Sequence, residues 1–227
     1  MSSVRVDIVS IGTLSRNRLW NETAPIRTAH ATTTLIRAPK RNILIDPGLP
    51  GQILAARLGE RTGLKPSDID TIFLTNLRPA HRGGISAFPS AKLFAHEIEI
   101  SHARAQFQDF VRQTKDEDLD ESVVRAEQSL LEKIEPAEDK LAREVDLFPL
   151  FGYTPGTCGL LVSLPTVTIL IAGDAVPTQD HFLAGQVLPD SADLNAAQEA
   201  MREVYEIADL IVPGHDNLFL NPRTQGM

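Results

Sequence analysis

The chain has 227 residues, 42% of them hydrophobic, enough for one domain with a sizeable core. A formal net charge of -8 leaves no basic face of the kind general nucleic-acid binding needs, so an enzyme or binder of small molecules is the expectation. A single cysteine, Cys158, excludes an internal disulfide framework and suits a reducing compartment, while the opening MSSVRVDIVS lacks a signal-peptide core and no apolar run reaches membrane-spanning length. These features predict a soluble, cytoplasmic protein with no nucleic-acid or membrane partner.

Residues 4–11 alternate apolar and polar side chains, the period of a half-buried strand. A polar loop rich in Arg and Asn follows and holds Trp20, the one tryptophan. From Ala31 to Asp46 the pattern reads strand (TTTLIR), connection (APKRN), strand (ILID), ended by Asp46-Pro47-Gly48. Helical apolar spacing over Gly51 to Leu64 predicts a helix with Gly63 as its C-cap. Ser67-Asp68 opens a single turn before the apolar strand Ile72-Phe73-Leu74, which runs into the loop TNLRPAHRGG. Ile85 to Phe88 reads as a short helix and Lys92 to Ala95 as a short strand. This alternation favours a layered α/β architecture.

The segment at about 97–143 differs in character, with many charges and sparse apolar residues at helical spacing. Two helices broken around KDEDLDES and ended at Pro136 are expected, mostly as a solvated face, and 103–142 is expected to be separable from the core. The rival reading makes the segment a cap over a site or a surface for homo-oligomer formation. Strands follow at Glu144–Leu150, Leu160–Leu164 and Thr166–Ile171, then a helix over Asp190 to Ala208 with Ser191 as N-cap, and a last strand at Leu210–Val212. No linker divides the chain, so 1–227 reads as one domain.

Several strand ends carry polar loops of a recognisable kind. The frame Thr-x-Leu-x-Pro-x-His-x-Gly-Gly over residues 75–84 resembles the metal loop of the metallo-β-lactamase-fold superfamily, His-x-His-x-Asp-His. The loop 151–159, FGYTPGTCG, resembles that family's second metal loop, Ala172-Gly173-Asp174 its bridging carboxylate, and Pro213-Gly214-His215 its last ligand loop. The resemblance spans roughly residues 30 to 217 and implies a four-layer αβ/βα sandwich with these loops gathered at one end.

By the same resemblance the four ligand positions of the first loop fall on Asn76, Arg78, Ala80 and His81, and the second-loop histidine falls on Tyr153. The family's first metal would then face Asn76, Arg78 and Tyr153, none a good zinc ligand. His81, Asp174 and His215 remain for a residual site of at most one divalent ion, so the cofactor is either none or one zinc. Asp46 is implied as the partner that holds the metal loop. No catalytic residue is assigned. His30, His96 and His102 are taken as structural, and Cys158 as a small buried apolar residue. His181 lies near enough in sequence to Asp174 to reach the site's mouth and is left unassigned.

Two functions follow from this resemblance. One is a fold member without the dinuclear hydrolase site, a pseudoenzyme that binds a small anionic ligand through Asn76, Arg78 and Tyr153. The other is a hydrolase of esters, lactones, thioesters or phosphodiesters with one metal on His81, Asp174 and His215. A third class, a partner-binding protein, would rest on the charged segment. Because a buried, unpaired Asp174 would be costly, an Arg78–Asp174 contact, direct or through one water, is expected to replace the metal's charge, with His81 and His215 completing the shell.

Overall fold

The computed structural model describes residues 4–114 and 120–226, so residues 115–119, the acidic break expected between the two middle helices, lie outside the described residues. The first sheet takes its strands in chain order: β1 (Arg5–Ser10), β2 (Thr33–Ala38), β3 (Arg41–Ile45), β4 (Thr71–Leu74), β5 (Lys92–Ala95) and β6 (Ile134–Pro136). The second comprises β7 (Lys140–Ala142), β8 (Val145–Pro149), β9 (Cys158–Ser163), β10 (Thr168–Gly173), β11 (Leu210–Pro213) and β12 (Phe219–Leu220), again as sequential neighbours. Both sheets are mixed: β3 to β6 run parallel, as do β10 and β11, and the other pairs are antiparallel.

The period of two along each strand sorts side chains into layers. On β3, Ile43 and Ile45 point between the sheets while Leu44 points outward; on β4, Phe73 points inward while Ile72 and Leu74 point outward. Phe73, Ile43 and Ile45 meet Leu160, Val162, Ile171 and Val212 of the second sheet in the central core. The outward faces are covered by helices. Leu54 and Leu58 of α1 (Gly51–Thr62), Ile100 of α2 (Glu97–Gln113) and Leu131 of α3 (Glu121–Lys133) pack on the first sheet. Phe182 of α4 (Gln179–Ala184) and Ala200, Met201 and Val204 of α5 (Leu194–Ile207) pack on the second. The result is a four-layer αβ/βα sandwich.

Local details depart from expectation for identifiable reasons. The β2–β3 connection is a two-residue turn, Pro39-Lys40, because Ala38 pairs with Arg41 and Arg37 with Asn42. Lys40 takes the left-handed conformation (φ 68°) that such a tight turn requires. Asp193, not Ser191, caps α5, its carboxylate accepting from the backbone N–H groups of Asn195 and Ala196. α4 and β12, too short for periodicity to reveal, were not expected.

The segment 103–142 is not separable from the core. Ile134 pairs with Leu93 and adds β6 to the edge of the first sheet, and Lys140–Ala142 adds β7 to the edge of the second. Leu131, Ile134 and Leu141 are all buried. Three well-spaced apolar residues are enough to fasten a charge-rich segment when strand pairing supplies the remaining contacts. Among the described residues no helix is long and apolar enough to cross a membrane.

Candidate metal centre and pocket

Four strand ends deliver the site, at the carboxyl ends of β3, β4, β10 and β11. Asp46 follows β3 in a left-handed conformation (φ 50°), which turns its carboxylate toward the end of the neighbouring parallel strand β4. There its Oδ1 accepts from the Thr75 backbone N–H at 2.9 Å and its Oδ2 from the Thr75 hydroxyl at 2.6 Å. A single-turn 3-10 helix over Pro79–His81 then swings His81 back beneath the loop, where it is completely buried.

His81 sits between two carboxylates. Its Nδ1 lies 3.0 Å from Asp46 Oδ2 and its Nε2 lies 2.7 Å from Asp174 Oδ2. Asp174 follows β10 through Gly173, whose backbone (φ +54°) and close approach to Thr75 exclude a side chain: a Cβ there would lie 2.4 Å from Thr75 Oγ1. His215 comes from the end of β11. Its Nδ1 donates to the His30 carbonyl (3.0 Å), and its Nε2 lies 2.9 Å from Asp174 Oδ1. Beyond that contact, the buried Asp174 Oδ1 has no polar partner among the described residues. Gly214 is needed beside it, because a Cβ would come within 2.4 Å of the same oxygen.

Electrostatics decide what the cluster does without a metal. Burial works against a charge on His81, but Asp174 and then Asp46 outweigh it and raise its pKa to about 10. Burial likewise opposes ionisation of Asp174, yet His81 and His215 hold its carboxyl well below the usual carboxylate range. The metal-free centre is therefore an imidazolium held between two carboxylates. The donor set also suits one divalent cation: the ligand atoms of His81, Asp174 and His215 lie within 4.8 Å of one another, and both histidines hold an outer acceptor on Nδ1 that leaves Nε2 facing Asp174. The orphaned Asp174 oxygen is the atom such a cation would satisfy.

Asn76 is turned inward. Its Oδ1 accepts from the Arg78 backbone N–H (3.0 Å), which fixes the amide so that Nδ2 donates to Asp174 Oδ2 (3.0 Å). An NH2 group cannot coordinate a cation. The expected direct contact between Arg78 and Asp174 is not formed among the described residues. Arg78 is exposed and its guanidinium lies 5.3 Å above the Tyr153 ring, while Asn76, His81 and His215 surround Asp174.

Above the cluster opens a cavity of about 660 Å³. Its floor includes His81, Asp174 and His215, and its walls include Arg78, Tyr153, Arg16, Arg18 and His181. Burial, with Asp174 adding, pushes the Tyr153 hydroxyl pKa upward, so it is a neutral phenol. The loop 14–20 and α4 form one wall, and of these residues only His181 was read in the sequence as able to reach the site's mouth. Their arginines looked like ordinary loop charges, and α4 has no periodic signal. Glu99, on the face of α2 that looked solvated, is buried and ties the first two loops together. It accepts from the backbone N–H groups of Leu77 (2.8 Å) and Gly156 (3.2 Å) and the hydroxyl of Thr154 (2.6 Å). Cys158 is buried, and burial raises its thiol pKa to about 12, leaving it inert.

A search of curated protein sequences finds no match. Among solved structures, a Thermotoga maritima protein carrying the metallo-beta-lactamase designation superposes with a TM-score of 0.69 at 18% identity, over 96% of this chain and 99% of that one. A probable metal-dependent hydrolase from Staphylococcus aureus gives 0.69 at 15% identity, covering 94% and 89%. AidC, a dizinc quorum-quenching lactonase, gives 0.61 at 20% identity, covering 78% and 67%. Identities this low establish the fold alone. The family model of the metallo-beta-lactamase superfamily matches residues 27–215, which contain every strand end described above. The chain belongs to the metallo-beta-lactamase superfamily.

Proposed function

We propose that this chain has given up the dinuclear hydrolase site of its superfamily and binds a small anionic ligand in the arginine-lined pocket, over a residual position for at most one divalent cation. The observation that carries this reading is the orientation of Asn76. Its amide presents N–H to Asp174 at the place where the superfamily resemblance puts a metal-binding imidazole, and Arg78 and Tyr153 take the neighbouring places as a stacked pair. Hydrogen-bond donors thus stand where a first cation's ligands would be. A guanidinium over a neutral phenol at the mouth of a cavity suits a carboxylate or phosphate. A proton on His81 gives Asp174 a cationic partner in the absence of metal.

A second reading is favoured by the unpartnered Asp174 Oδ1 and the two Nε2 atoms that face it: hydrolysis with one metal held by His81, Asp174 and His215. A bound divalent ion would supply Lewis acidity and lower the pKa of a water there. In that case the chain's own contribution is to orient both imidazoles through Asp46 and the His30 carbonyl, and to hold the anionic part of the substrate on Arg78.

The test is calorimetric titration of metal-free protein with inorganic phosphate, together with assays on ester, lactone, thioester and phosphodiester substrates with and without one equivalent of zinc. Phosphate binding without metal and no zinc-dependent turnover is the expected result. Zinc-dependent turnover that disappears in Asp174→Asn would establish the second reading instead.

A further inference from the structure

His181 is a buried titratable side chain at the pocket that the residual metal position does not use. It is 4% exposed, yet it lines the same cavity as His81, Asp174 and His215. Its Nδ1 lies 2.8 Å from the hydroxyl of Thr178, the residue that caps α4, and that hydroxyl also accepts from the His181 backbone N–H at 3.3 Å. No other acceptor for the Thr178 hydroxyl proton exists among the described residues. With Nδ1 as the acceptor of that proton, the ring carries its own hydrogen on Nε2. Nε2 makes no hydrogen bond among the described residues and is not sealed from the cavity.

The wall that carries His181 is clamped. Trp20 donates its indole N–H to Asp180 at 2.7 Å, and the Gln179 backbone N–H donates to Asp216 at 3.2 Å. The first of these contacts fastens α4 to the loop that brings Arg16 and Arg18 to the cavity. A donor with no internal acceptor, lining the same cavity as Arg16 and Arg18, is built for something that enters the pocket. Burial keeps the imidazole's pKa low, so it offers a neutral N–H and not a third cation.

We propose that His181 is a specificity-determining residue that donates Nε2–H to an oxyanion oxygen of the bound ligand, a carboxylate or phosphate, on the wall it shares with Arg16 and Arg18. The proposal rests on the anion-binding reading above. A donor of fixed direction selects for an acceptor at one position, which a mobile exposed arginine does not do.

The probe is inorganic phosphate, added to the full chain labelled with 15N at histidine, with binding measured for wild type, His181→Phe and His181→Gln. Before phosphate is added, the ring nitrogens of His181 must report the Nε2–H tautomer; an Nδ1–H tautomer overturns the proposal. Phosphate must then shift the Nε2 resonance, and loss of the donor in His181→Phe should weaken binding about tenfold, the worth of one hydrogen bond to a charged group. His181→Gln, which can place an amide N–H near Nε2, should recover most of that loss. Equal affinity of wild type and His181→Phe overturns the role of His181 and leaves the anion pocket standing. No binding to wild type at tens of millimolar phosphate overturns the anion reading, and this inference with it.

Discussion

The Nε2 of His81 lies 2.7 Å from Oδ2 of Asp174, and both side chains are buried to the last few per cent. In a superfamily whose sites are built around cations, this pair lets the chain neutralise its own central carboxylate. The positive charge comes from a proton on His81, stabilised from behind by Asp46 at 3.0 Å. A proton and a metal ion then compete for the same Nε2, and the competition makes the centre's behaviour measurable.

The first consequence is for stability against pH. The folded pKa of His81 is raised from 6.5 to about 10, so its contribution to metal-free stability is complete below 6.5 and is lost as pH rises through about 10. Thermal unfolding of metal-free protein should therefore show a melting temperature falling between pH 7 and pH 10, by about 5 °C or more given ~2–4 °C per kcal/mol for a chain of this size. His81→Gln should be less stable at pH 7 and show a flatter profile over this interval. An unchanged profile would mean that His81 is neutral.

Zinc affinity should move the opposite way. A metal can use His81 Nε2 only after its proton leaves, so the apparent dissociation constant should tighten about tenfold per pH unit between pH 7 and pH 9. Calorimetry in two buffers of different ionisation enthalpy should report close to one proton released per zinc at pH 7.

Arg78 supplies a contrast. Its guanidinium lies over Tyr153 and not on Asp174, so removing it should cost only the ~0.5–1 kcal/mol of an exposed cation–π contact. Thermal unfolding of Arg78→Ala should stay within about 3 °C of wild type, while phosphate affinity falls. A large loss of stability would show that Arg78 compensates Asp174 after all.

Glu99 holds the two loops that carry Asn76 and Tyr153, accepting three hydrogen bonds in a buried setting. Glu99→Ala leaves two backbone N–H groups and a hydroxyl without acceptors, and should destabilise by roughly 3 kcal/mol in denaturant unfolding. Glu99→Gln, which keeps one acceptor oxygen, should cost less.

Much of this centre was legible in the sequence. Ile72-Phe73-Leu74 reads as a strand because its side chains face two different cores, and the polar loops after it and after Ile171 fall at strand ends where a site must form. Asp174, His81 and His215 were expected together and lie within 2.9 Å contacts of one another through Asp174. The finer details were not legible. Asn76 was expected at the site, but the orientation of its amide follows from the Arg78 backbone N–H, a consequence of loop conformation that no spacing encodes. Glu99 looked like one more charge on a solvated helix, since its three donors come from loops distant in sequence. His181 was read as near enough to reach the mouth but was left unassigned, because α4, six residues long, offers no periodicity to read. The edge strands β6 and β7 were masked in the same way by the charges around them.

The central claim is that the chain has no dinuclear centre, and the most direct measurement is metal stoichiometry. Protein purified without a tag or chelator is dialysed against excess zinc, exchanged into metal-free volatile buffer at pH 8, and weighed intact by native mass spectrometry. The account predicts metal-free chains and chains with one zinc, with the singly loaded form lost in His215→Ala. Two tightly held zinc ions per chain would contradict it.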